Sequence, residues 1–228
     1  MNSNKNKFII PFAGYPIFVI QKGFYVNDDE LNFIKNIEYN NHVDINNLKL
    51  SKNEDVLEFQ QLKRLKNFIK ESLDDYVSNI LEVNNSFSFC QSWSTIQNGK
   101  TKHPSHTHPN HLISSVYYVK TEKTELIFNI NRSILQDGYY FKYDVKNHNV
   151  FNSHSYKVIL KQGDIDGNNG LVSEVDIIFF PGQLHHESSI NDEKERIVMG
   201  SSFFIEGKLG SQQGYDNLDI TNNKRKEY

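Results

Sequence analysis

Gly99-Lys-Thr-Lys-His103-Pro-Ser-His106-Thr-His108-Pro109-Asn110 is the stretch on which the reading of this chain turns. Pro104 and Pro109 flank two histidines and favour extended or turn backbone over helix. On extended backbone alternate side chains share a face. His106 and His108 therefore point the same way, and Thr107 points away. A second stretch follows downstream, Phe179-Phe-Pro181-Gly182-Gln-Leu-His185-His186-Glu187. Pro181-Gly182 make a turn that feeds these histidines back toward a rim. As strand neighbours, His185 and His186 face opposite sides, so at most one joins the first pair. An H-x-H pair with a distant third imidazole is a three-point grip on one ion, and imidazole suits iron, zinc, copper and nickel alike. His42, His103, His111, His148 and His154 are left to the surface or to the surroundings of that site.

The third element is Glu195-Arg196-Ile-Val198-Met-Gly200-Ser-Ser202-Phe203. Strand alternation places Arg196, Val198, Gly200 and Ser202 on one face. A guanidinium fork there grips a carboxylate bidentately, which lysine does not imitate. As a plain arginine at a strand start it would instead pair with Glu195 or Asp192. Gly200 leaves room on that face, as a bound small molecule requires.

Working outward, the period of the chain sets the fold class. Phe87, Phe89, Gln91, Trp93 and Thr95 alternate with Ser86, Ser88, Cys90, Ser92 and Ser94, which predicts a strand with a bulky face. Further strands are expected at 112–120, 124–130, 157–161, 174–180 and 195–205. Upstream, 8–26 reads as one or two strands, and Asn27-Asp-Asp-Glu30 caps a helix carrying Leu31, Ile34 and Ile37. Residues 40–53 read as loop. Apolar positions from Val56 to Leu81 recur at threes and fours, predicting a long amphipathic helix over 54–83, broken at most once. Helices first and strands afterwards indicate an α+β fold with a closed or sandwiched β core. Residues 131–156 read as a lid or added hairpin.

The bulk properties exclude several classes. A chain of 228 residues is most simply one domain with a substantial core. Its 16 Phe and 12 Tyr suit pleated surfaces. A net charge of −3, with mixed signs along the chain, lacks the basic footprint of a nucleic-acid binder. The single cysteine, Cys90, rules out an internal disulfide and is expected as a buried strand residue. No apolar run approaches the roughly 20 residues of a bilayer span, and the N-terminus lacks the apolar stretch of a signal peptide. A cytoplasmic protein is expected.

These segments resemble the 2-oxoglutarate- and Fe(II)-dependent dioxygenase superfamily. The likeness is greatest to a group of oxygenases common in phages and marine bacteria, distantly akin to prolyl hydroxylases. It rests on Ser92-Trp93 and Gly99, then His106-Thr-His108-Pro109, then Ser114-Ser-Val-Tyr117-Tyr118-Val119, and finally Phe180-Pro181-Gly-Gln-Leu184-His-His186 and Arg196. The resemblance covers roughly residues 85–205. It implies a double-stranded β-helix, or jelly roll. With helical support at 27–83 and a β core at 85–206, one domain is expected over residues 1–206, followed by a polar tail at 207–228. It implies Fe(II) on His106, His108 and His186, and 2-oxoglutarate on Arg196, with Tyr118, Gln97 and Ser202 nearby and O2 as co-substrate. Hydroxylation of a substrate would accompany decarboxylation of 2-oxoglutarate to succinate. Two positions depart from the pattern. His108 stands where the superfamily usually has an acid, and Val198 where it often has serine. The rivals are a cupin-type three-histidine enzyme without 2-oxoglutarate, which would favour His185, and a metal-free jelly-roll binding module.

Overall fold

The computed structural model describes residues 6–12, 15–21, 24–108, 111–121, 125–129, 157–161, 175–191, 194–210 and 218–221. In chain order the early elements are β1 (Asn6–Phe12), β2 (Tyr15–Gln21), α1 (Asp28–Asn36), β3 (Tyr39–Asn41), β4 (Leu48–Ser51) and α2 (Lys63–Asp75). Then follow β5 (Phe87–Asn98), β6 (Ile113–Lys120), β7 (Glu125–Asn129), β8 (Lys157–Lys161), β9 (Val175–Pro181), β10 (His185–Ser188) and β11 (Glu195–Ile205). A large antiparallel sheet has the order β1-β2-β9-β6-β11-β5-β4-β3, and a small one the order β10-β7-β8. Together they form an α+β jelly roll, with α2 on the outer face of the large sheet.

Alternation along the strands sorts side chains to the two faces of the large sheet. Tyr117, Ile177, Phe179, Ile197, Met199 and Phe203 face outward and are buried with Phe68, Ile69, Leu73 and Tyr76 of the helical layer. Phe68 stacks on Phe24 at 5.0 Å and meets Tyr117 edge-on at 6.2 Å. On the inner face Phe180 meets Phe128 of β7 at 5.1 Å and His186 of β10 at 4.6 Å, joining the two sheets. The expected cap of α1 is a capping box. Asn27 Oδ1 accepts from the Glu30 N–H, and Glu30 Oε2 accepts from the Asn27 N–H, each at 2.8 Å.

Three expectations are corrected. Residues 40–53 contain part of β3 and all of β4, which extend one edge of the large sheet. Their signal is short, but Leu48 and Ser51 are buried, and Ser51 Oγ accepts from the Ser94 N–H at 3.0 Å. The helix expected over 54–83 is broken more than once, into 3-10 turns at Val56–Glu58 and Gln60–Leu62, α2, and a π turn at Tyr76–Ile80. The start does not continue as α-helix because β5 claims its backbone. The Ser92 N–H donates to the Glu54 carbonyl at 2.7 Å, and the Leu57 N–H donates to Ser92 Oγ at 2.9 Å. Cys90 is half-buried on β5 rather than fully buried. Strand β10, four residues long, was not expected as a separate element. In the tail, Lys208–Leu209 pairs with Leu218–Asp219. The region expected as a lid or added hairpin, 131–156, lies outside the described residues. Among the described residues no helix is long and apolar enough to cross a membrane.

Candidate metal centre

The two histidine stretches are laced together by backbone. His106 and His186 exchange N–H···O bonds at 3.0 Å in both directions, and the His108 N–H donates to the Gly182 carbonyl at 3.0 Å. The H-x-H segment thus runs alongside β10 as a short antiparallel partner. Pairing fixes which way each ring points. His106, His108 and His186 converge, with one ring nitrogen of each lying within 4.8 Å of the others. His185, facing the other way on β10, does not join them.

The nitrogens are already sorted for coordination. His106 Nδ1 lies 2.8 Å from the Pro104 carbonyl, and His186 Nδ1 lies 2.9 Å from the Leu184 carbonyl. A carbonyl only accepts, so both Nδ1 atoms carry the proton and both Nε2 atoms keep a lone pair. These backbone carbonyls fix the tautomer and orient both rings. His108 Nε2 stands 3.3 Å from His186 Nε2. Ligands about 2.0–2.1 Å from one ion and about 90–110° apart have nitrogens about 2.8–3.4 Å from each other.

Electrostatics keep the rings neutral. Burial, aided by the neighbouring imidazoles, pushes His103 and His108 down to about 3. Burial lowers His106 as well, and it holds His186 well below the ordinary histidine range. The neutral ring is the metal-binding form.

Arg196 lines the same cavity as the three histidines. It is 1% exposed, the most bulky of the fully buried side chains among the described residues. Its Nε donates to Gln97 Oε1, and its Nη2 donates to Ser188 Oγ and to the Ser189 carbonyl, both at 3.0 Å. Glu195, the adjacent acid, turns the other way to Lys120 at 2.8 Å and Lys35 at 3.1 Å. Tyr118 also lines the cavity, and burial raises its phenol well above the usual range despite the Arg196 charge, so it stays a donor.

Two expectations on this face change. A Cβ on Gly200 would sit 2.4 Å from the Trp93 ring, so the room at Gly200 is taken by the indole and not by a ligand. Trp93 in turn packs on His108, with ring centroids 5.1 Å apart. Ser202 is fully buried beyond Gly200 and is not among the residues lining the cavity. Sequence reasoning missed Ser188, which shares the inward face of β10 with His186. Recognising β10 as a strand would have found it.

Residues 91–202 match the model of a family described as "Putative 2OG-Fe(II) oxygenase". The matched segment runs from β5 into β11. Solved structures agree in fold. An alpha-ketoglutarate-dependent epimerase, SnoN from nogalamycin biosynthesis, aligns at 10% identity over 93% of this chain and 85% of its own, with a TM-score of 0.55. A prolyl-4-hydroxylase from Pseudomonas putida aligns at 11% identity over 86% and 96%, with a TM-score of 0.51. HygX from Streptomyces hygroscopicus, solved with nickel and 2-oxoglutarate, aligns at 9% identity over 83% and 82%, with a TM-score of 0.50. No curated protein matches by sequence. His108, which stands where the resemblance expects an acid ligand, turns its ring to the centre.

Proposed function

We propose that this oxygenase is a dioxygenase that binds Fe(II) through His106, His108 and His186 and 2-oxoglutarate through Arg196, and that it hydroxylates its substrate. The observation that carries the reading is one cavity holding three converging neutral imidazoles and, apart from them, a buried guanidinium. A 2-oxo dicarboxylic acid has a chelating end for a metal and a carboxylate for an arginine. The donor set fits the ion, because the Nδ1 protons of His106 and His186 are tied to carbonyls, which leaves each Nε2 a lone pair for a metal. Bound together, iron and 2-oxoglutarate supply the oxidising power of the reaction, in which O2 is consumed, 2-oxoglutarate becomes succinate and CO2, and one oxygen atom enters a substrate C–H bond.

The chain's own residues do the positioning. Arg196 is held rigid by Gln97, Ser188 and Ser189, so its fork is oriented before the acid arrives. Tyr118, kept protonated, offers an O–H to the same carboxylate. Trp93, wedged over Gly200, walls the His108 side of the centre and limits how water and substrate approach it. We assign this activity to residues 1–206 as one domain.

Three histidines without an acid would also serve a cupin-type enzyme that uses no 2-oxoglutarate. The Arg196 cluster in the same cavity favours the dioxygenase. The deciding experiment is anaerobic titration of the Fe(II)-loaded protein with 2-oxoglutarate, followed by assay of succinate after O2 is admitted. Metal-loaded protein that ignores 2-oxoglutarate would end the dioxygenase reading and leave the three-histidine alternative.

A further inference from the structure

We infer that the substrate of this centre carries a carboxylate, which sits at the mouth of the cavity beside the metal and accepts a hydrogen bond from the His103 ring. The inference rests on the proposed binding of Fe(II) and 2-oxoglutarate and adds to it a substrate class and a residue. Charge around the ion does not balance without such a group. His106, His108 and His186 are neutral donors, so an ion held by them keeps both of its positive charges. The chelating end of a 2-oxo acid brings one carboxylate, and one positive charge is left. Among the described residues no Asp or Glu lines the cavity. Glu187, next to His186, points away from it on β10 and pairs with Lys102 at 3.3 Å. An uncompensated charge is tolerable while water reaches it and costly once water is excluded. A substrate that covers the centre excludes that water, so the substrate itself is placed to bring the missing charge.

The mouth and its donor are both set where the chain before His106 runs alongside β10. The His103 N–H donates to Ser188 Oγ at 2.8 Å, and the Ser188 N–H donates to the His103 carbonyl at 3.1 Å. Lys102 turns outward to Glu187, and His103 turns inward beside His106, with ring centroids 4.1 Å apart. His103, His106, His108 and Trp93 are partly exposed, whereas His186 and Arg196 are buried. The cavity therefore opens on the side of His103, His106 and His108. His103 is a fourth imidazole at that opening. It lies outside the set of three whose nitrogens converge, and its ring makes no hydrogen bond with the described residues. A neutral imidazole has one N–H to give. An anion seated beside the metal takes it as a charge-assisted bond. A neutral amide or alcohol would gain the bond and leave the charge unbalanced.

The test uses the full chain, loaded with Fe(II) and saturated with 2-oxoglutarate without oxygen, and acetate as the probe. Calorimetry compares acetate with acetamide, its neutral isostere, and with chloride. Acetate should bind saturably, and acetamide about tenfold or more weakly, the scale of a hydrogen bond to a charged group. His108→Asp puts a carboxylate among the metal's own ligands, so it should lose acetate binding by a similar factor and keep 2-oxoglutarate. His103→Leu should weaken acetate and leave Fe(II) and 2-oxoglutarate unchanged, and His103→Gln, which keeps an N–H, should restore part of the loss. Acetamide that binds as well as acetate would overturn the inference. So would acetate binding that His108→Asp does not alter, or acetate that competes with 2-oxoglutarate and so occupies the co-substrate's place. Chloride that binds as tightly as acetate, with no loss in His103→Leu, would give the charge to a small ion on the metal and overturn the substrate class. Wild type that takes up Fe(II) but no 2-oxoglutarate would end the co-substrate reading, and the inference with it. Binding of 2-oxoglutarate without binding of acetate would end the inference alone. If a variant does not fold, the wild-type contrast between acetate, acetamide and chloride decides.

Discussion

At the scale of single residues, the site separates two jobs that one protein change each can isolate. Arg196 is buried, and three acceptors hold its guanidinium. Arg196→Ala leaves Gln97 Oε1 and Ser188 Oγ short of a partner, which costs about 1–3 kcal/mol per buried group. A lower melting temperature alone is thus uninformative, and the ligand-induced shift is the quantity to measure. Wild type with Fe(II) under nitrogen should gain several degrees with 2-oxoglutarate, and Arg196→Ala should gain almost none. An equal gain in both would show that the arginine is structural. His108 tests the other job. Three imidazoles leave the centre one unit more positive than two imidazoles and a carboxylate, and they omit the anion that suits hard Fe(II). His108→Asp should keep or improve Fe(II) affinity, read by anaerobic titration. Collapse of the fold in that variant would instead mark His108 as a packing residue, held between Trp93 and the other rings.

At the scale of elements, the register of β5 against β11 fixes the wall of the site. Gly200 faces Trp93 across the pair, and a Cβ there would sit 2.4 Å from the indole. Gly200→Ala should therefore cost about 1–3 kcal/mol, as overpacking of a close-packed site does. The ring it displaces is the one that packs on His108, so metal affinity should fall with it. Trp93→Phe removes the second ring and should recover part of the stability lost in Gly200→Ala; a double-mutant cycle measures the coupling. Additive losses would show that the indole and glycine do not compete for the space. The period-two pattern that predicts β5 also made β11 and its inward face legible in the sequence, and with them Arg196. The H-x-H pair and the proline-led second stretch were legible for the same reason, since extended backbone has fixed alternation. What escaped was set by partners distant in sequence. β4 is held by Ser94 of β5, the start of the expected helix is claimed by Ser92, and β10 is a strand only because β7 and the His106 backbone pair with it. Gly200 was misread because an empty Cβ position does not say which neighbour fills it.

At the scale of the whole molecule, the cavity couples folding to pH through its imidazoles. In the folded metal-free chain, burial pushes His103 and His108 down to about 3 and lowers His106 and His186 as well. In the unfolded chain these rings regain an ordinary value of about 6.5. Between those limits the unfolded state binds more protons, so stability rises with pH and is lost as pH falls below about 6.5. Each histidine contributes a slope of at most about 1.4 kcal/mol per pH unit in that window, and none once the pH is well above it. Glu195, lowered by the hydrogen bond from Lys120, also favours the folded state at higher pH, but its loss falls in the carboxylate range, below the upper part of the histidine window. Chelator-treated protein, unfolded by urea at pH 7.5, 6.5 and 5.5, should thus lose stability only on the acid side. His103→Ala, which removes one such ring, should make that limb shallower. Saturating Fe(II) should raise stability most at pH 7.5 and least at pH 5.5, because protons and metal compete for the same lone pairs. A flat profile from pH 7.5 to 5.5 would mean that the rings titrate alike in both states. The cavity would then be open to water, and the three imidazoles would not be held neutral in readiness for an ion.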